Sequence, residues 1–102
     1  MKIHFKISYF TQWGQRLLVS GNLPELGNGE LSKSLSLQYK NGGDWVGEID
    51  VNVNSNEPFN FTYKYIIFNE KNAQYTHECG DDRNIDIDKP VADHFFCFYQ
   101  WN

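Results

Sequence analysis

A chain of 102 residues has the length of one domain with one hydrophobic core, and its 9 Lys and Arg against 13 Asp and Glu leave a net charge of -4. With no basic run anywhere, that balance excludes the clustered cations that a nucleic-acid surface requires. Aromatic residues make up 17% of the chain, more than a core of this size needs to bury, so some rings are expected at the surface.

Period-two alternation dominates, and apolar residues nowhere recur at helical spacing for long. Ile3, Phe5, Ile7 and Tyr9 alternate with Lys2, His4, Lys6 and Ser8, which predicts a first strand with one apolar and one polar face. The same alternation excludes the continuous apolar stretch of a signal peptide or membrane span, so a cytoplasmic chain with Cys79 and Cys97 as free thiols is expected. A second strand is predicted at Leu17 to Ser20. Leu23 to Gly29 reads as loop by its Pro and Gly content, and a weaker strand follows with Leu35 and Leu37. Asn41-Gly42-Gly43-Asp44 turns the chain into a strand from about Trp45 to Val53, with Trp45, Gly47, Ile49, Val51 and Val53 on one face.

The most β-prone segment is Phe59 to Phe68, with Phe59, Phe61, Tyr63, Tyr65 and Ile67 on one side. Shorter strands are predicted at Ala73 to Glu78, Asn84 to Ile87 and Asp93 to Tyr99. Seven or eight short strands separated by turn signals match an all-β sandwich or small barrel.

His77, Cys79, His94 and Cys97 are the residue types of a two-His, two-Cys zinc site, but their spacing fits structural zinc poorly and no metal is expected. Glu78, Asp81 and Asp82 beside His77 raise acid-base chemistry, since glycoside hydrolysis needs two carboxylates flanking the bond. Their crowding into one turn with Cys79-Gly80 predicts an exposed acidic bend instead. Trp13, in the polar bend Thr11-Gln12-Trp13-Gly14-Gln15, and Tyr39, before Lys40-Asn41-Gly42-Gly43, have no alternation to hide them. Such rings either cap the ends of a sandwich or offer apolar platforms to sugar rings, whose C–H faces stack on aromatic planes.

Several segments in order resemble the starch-binding carbohydrate-binding module family 20. They are Thr11-Gln12-Trp13-Gly14-Gln15, Leu17-Leu18-Val19-Ser20-Gly21-Asn22, Pro24-Glu25-Leu26-Gly27-Asn28, Trp45, Tyr63-Lys64-Tyr65, and Glu78 with Arg83. The opening Tyr9 to Gln15 is most similar to modules that begin 4-α-glucanotransferases of the amylomaltase or disproportionating type. The ending Phe98 to Asn102 looks like the close of a module that continues into more protein.

The resemblance implies an all-β, immunoglobulin-like antiparallel β-sandwich of seven or eight strands with two glucan sites. In the first, the family's two tryptophan positions are occupied here by Gly29 and His77, while Lys64 and Glu78 are retained and Asp82 stands where an asparagine is usual. In the second, both aromatic positions align with Trp13 and Tyr39. Arg83 and Trp45 match positions that are mainly structural, and Tyr75, two residues before His77, is a candidate replacement platform. The implied function is non-catalytic binding of α-1,4-glucan (starch, glycogen or maltodextrin) without cofactor, residues 1–102 being a module attached to a catalytic domain of the same chain. The alternative is a module that has lost binding and merely docks that catalytic domain.

Overall fold

The computed structural model describes residues 1–101, the side chain of Tyr99 excepted. Alternation places Ile3, Phe5 and Ile7 of β1 (Lys2–Ser8) inside, opposite Leu17 and Val19 of β2 (Gln15–Gly21). Two single-turn 3-10 helices, Pro24–Leu26 and Leu31–Lys33, shape the long loop after β2, and the first seats Leu26 in the core. There follow β3 (Leu35–Ser36), β4 (Gln38–Lys40), β5 (Asp44–Asp50), β6 (Phe59–Asn69), β7 (Gln74–His77), β8 (Arg83–Ile87) and β9 (His94–Gln100).

These strands form two sheets. One has the order β4-β5-β1-β9; the other has the order β3-β2-β6-β7, with β8 also paired to β6. All pairs are antiparallel except β1 with β9, which run parallel in the register Ile3↔Phe95 and Phe5↔Cys97. The apolar faces meet in between, so the architecture is the predicted immunoglobulin-like β-sandwich. Among the described residues no helix is long and apolar enough to cross a membrane.

β6 supplies the spine of the core. Phe59, Phe61, Tyr63 and Tyr65 form a continuous train with ring centroids 5.6–5.7 Å apart, and Phe5 meets Tyr63 edge-on at 5.2 Å. Edge and tilted contacts of this kind add to area burial because ring quadrupoles favour them. Burial holds the Tyr65 hydroxyl neutral by raising its pKa, and that hydroxyl donates to the Cys97 carbonyl at 3.3 Å.

The predicted strand carrying Leu35 and Leu37 is two strands. Leu35 pairs with Val19 in one sheet, Tyr39 pairs with Trp45 in the other, and Leu37 sits buried at the change of sheet. Its N–H donates to the Leu17 carbonyl, and its side chain rests on Gly47. A Cβ at Gly47 would lie 2.6 Å from Leu37 Cδ2, so glycine in an otherwise apolar strand face makes room for the crossing chain. One strand is thereby exchanged between layers, and Tyr39 is brought to a sheet edge.

Candidate functional site

Beyond β1 the chain reverses. Tyr9 turns inward against Trp101, ring centroids 5.4 Å apart, and its N–H donates to the Gly43 carbonyl at 2.9 Å. The bend that follows is closed by Gln12 N–H donating to Gln15 Oε1 at 2.8 Å and Gln15 N–H donating to the Gln12 carbonyl at 3.0 Å. On this bend Trp13 is 93% exposed. Tyr39 reaches the same place from β4, an edge strand rather than the predicted strand end, and is 52% exposed. Its ring is propped edge-on by buried Trp45 at 5.4 Å. Trp13, Tyr39, Phe10, Thr11, Gln12 and Trp45 line one groove of about 340 Å³. Two rings far apart in sequence are therefore presented together, with hydroxyl and amide groups between them.

A second groove of about 390 Å³ lies on the outer face of the other sheet, where Lys64, His77, Asp82 and Gly29 meet around Ile66 and Leu31. The Lys64 ammonium donates to the Gly80 carbonyl at 3.0 Å and lies 3.5 Å from Asp82. Two of its three donor directions are thus directed at the protein itself. Gly29 has φ +86°, and a Cβ there would meet nothing within 4 Å. The lining holds no phenyl, phenol or indole ring, so this groove keeps polar groups without a stacking platform.

Two predicted site residues are placed otherwise. Glu78 is 4% exposed and does not belong to an exposed acidic bend, unlike Asp81 and Asp82. β7 pairs with Ile66 to Asn69 of β6 and β8 pairs with Phe59 to Tyr63, which leaves a gap at Tyr65. Glu78 fills it: Oε1 accepts from the Tyr65 N–H at 2.9 Å, replacing a ladder bond. Arg83 then neutralises the carboxylate through Nε at 3.1 Å and Nη2 at 2.7 Å, and this bonding raises the Arg83 pKa. The carboxylate is engaged from both oxygens, which removes it from the residues free to meet a sugar. Tyr75 packs on Phe68, ring centroids 4.8 Å apart, and is not among the side chains lining the groove.

The cysteines are separated: Cys79 is exposed on the bend and Cys97 is buried in the core, where burial pushes its thiol up to about 11. Among the described residues no three His, Cys, Asp or Glu side chains are grouped to hold a metal.

A further cavity, about 440 Å³, lies over the outer face of β1 and β5 and includes His4, Lys6 and Phe98. On this face His4 stacks on Phe96 at 4.7 Å and 14°, and Lys6 Nζ lies 5.5 Å over Phe98. Stacked rings show their edges, so this surface is less suited to a sugar face than Trp13. Sequence reasoning did not single out Phe10, which is 87% exposed in the Trp13 groove. The available signal was phase, since inward Tyr9 leaves its neighbour outward at the start of a bend.

Residues 1–94 match the starch binding domain family. The chain is 32% identical over 92 residues to the 4-alpha-glucanotransferase DPE2 of Oryza sativa subsp. japonica, covering 87% of this chain and 9% of the rice enzyme. In structure it is similar to the glycoside hydrolase family 15 glucoamylase of Hypocrea jecorina, with TM-score 0.77, 25% identity, and coverage of 98% of this chain and 17% of that one. It shares its fold with the family 20 carbohydrate-binding module of a maltotetraose-forming amylase from Pseudomonas saccharophila STB07, with TM-score 0.68, 18% identity, and coverage of 97% and 100%. The family match spans nearly the whole length: the chain belongs to the starch binding domain family, carbohydrate-binding module family 20.

Proposed function

We propose that the chain binds α-1,4-glucan non-catalytically through the groove of Trp13 and Tyr39, as the N-terminal module of a cytoplasmic 4-α-glucanotransferase. The observation that carries this reading is the exposure of Trp13, at 93%, on a hydrogen-bonded bend beside a second open ring. Leaving an indole in water forgoes favourable burial, and stacking a pyranose ring on one face recovers part of it. Among the described residues no ring or cation stacks on Trp13. The groove of Lys64, His77 and Asp82 contributes hydrogen bonds only and is the weaker surface.

The non-catalytic reading is supported by Glu78, whose oxygens are bonded to Tyr65 and Arg83 and are not free for acid-base work. The similarity to the rice 4-alpha-glucanotransferase, of which the chain covers 9%, supports attachment to such an enzyme and a catalytic domain as partner. A second reading, a module that only docks that catalytic domain, draws on Gly29 and His77, which leave the Lys64 groove without a phenyl, phenol or indole platform. Titration calorimetry separates the two. Trp13→Ala is expected to reduce affinity for maltoheptaose roughly thirtyfold, about 2 kcal/mol, whereas a docking module binds no α-glucan before or after the change.

A further inference from the structure

Phe10 is 87% exposed, lines the groove of Trp13 and Tyr39, and has no place in the core. It is nonetheless held. The Tyr9 N–H bonds to the Gly43 carbonyl at 2.9 Å, and the Tyr9 ring rests on Trp101, so the backbone is fixed one residue before Phe10. The ring then lies against Gly43: a Cβ there would be 3.2 Å from Phe10 Cε1 and 3.5 Å from Cδ1. Gly43 serves this arrangement twice, by its φ of +89° and by the absence of a side chain beneath the ring. Its neighbour Gly42 has nearly the same φ, +91°, but a Cβ there would meet nothing within 4 Å.

We propose that Phe10, seated on Gly43, is a third stacking ring for α-glucan in this groove and makes the groove select longer chains. The inference rests on the glucan reading of that groove. Two rings suffice to clamp a short segment, while a third, with Thr11 and Gln12 between it and Trp13, extends the contact along the polymer. Each added ring face gives an apolar contact that a short oligosaccharide cannot use at the same time as the others.

Titration of the parent chain, Phe10→Ala, Trp13→Ala, Gly42→Ala and Gly43→Ala with maltotriose and maltoheptaose tests this, with a melting curve for each. Phe10→Ala is expected to lose about tenfold in affinity for maltoheptaose but less than threefold for maltotriose, with its melting temperature near the parent's. Gly43→Ala should repeat part of that length-dependent loss, and Gly42→Ala, which bears the same backbone strain without touching Phe10, should bind within about twofold of the parent. If Phe10→Ala binds maltoheptaose like the parent while Trp13→Ala does not, the third ring is refuted and the glucan groove stands. If the parent binds neither oligosaccharide, groove and third ring fall together.

Discussion

Removing the Glu78 charge separates a structural from a sugar-binding role for that residue. In Glu78→Gln the amide oxygen can still accept from the Tyr65 N–H, but the charged pair with Arg83 is lost and an NH₂ group is brought toward Nη2, 2.7 Å from Oε2 in the parent. Breaking a buried ion pair by removing one partner costs about 3–5 kcal/mol. The Arg83 side chain is 16% exposed and also donates to the Gln100 carbonyl at 2.6 Å, so the guanidinium is not stranded and about 2–3 kcal/mol is the better expectation. At about 4–8 °C per kcal/mol for a domain of this size, the melting temperature should fall by roughly 10–20 °C. Calorimetric melting gives that number. Titration with maltoheptaose well below the transition should give an affinity within about twofold of the parent. A variant that melts like the parent but no longer binds would refute the structural role and return Glu78 to the glucan site.

The groove of Lys64 and His77 should accept an engineered platform: Gly29→Trp combined with His77→Trp is expected to raise the titration stoichiometry from one glucan to two. The φ of +86° at Gly29 adds a strain of about 1–2 kcal/mol to that variant, visible as a lower melting temperature, and unchanged stoichiometry would count against the vacancy. Burial raises the Cys97 thiol from an ordinary 9.0 to about 11, so the unfolded chain releases this proton first as pH rises. Stability is therefore fully present below about pH 9 and is lost as pH rises toward 11, by roughly 2–3 kcal/mol from this group. Denaturant melts of the parent and Cys97→Ala across that window should differ in slope, and parallel curves would refute the assignment.

The sandwich was legible because alternation is a local signal: Ile3, Phe5 and Ile7, or Phe61, Tyr63 and Tyr65, declare their inward face within a few residues. The change of sheet at Leu37 was not, since it depends on Leu17 and Gly47, neither of them near in the chain. The parallel pairing of β9 with β1 joins opposite ends of the sequence and leaves no mark in periodicity. Trp13 and Tyr39 stood out as rings without alternation, and the fold brings them to one groove. Glu78 misled because a carboxylate beside Cys79-Gly80-Asp81-Asp82 reads as solvated, whereas a gap in the ladder at Tyr65 draws it inward. Tyr75 shares its strand with His77 as expected, yet its ring is taken up by Phe68 across the pair.

Glucan binding itself is tested most directly by titration calorimetry of the 102-residue chain with maltoheptaose and with cellohexaose, which share their monomer and differ in linkage and by a single residue in length. One groove of two or three open rings buries little area beyond the cost of ordering a flexible oligosaccharide, so a Kd of about 10 μM to 1 mM is expected for maltoheptaose. Cellohexaose should bind at least tenfold more weakly, because its straighter chain cannot meet Trp13 and Tyr39 together. Equal affinity for the two oligosaccharides, or heat from neither, would contradict an α-glucan-binding role for this chain.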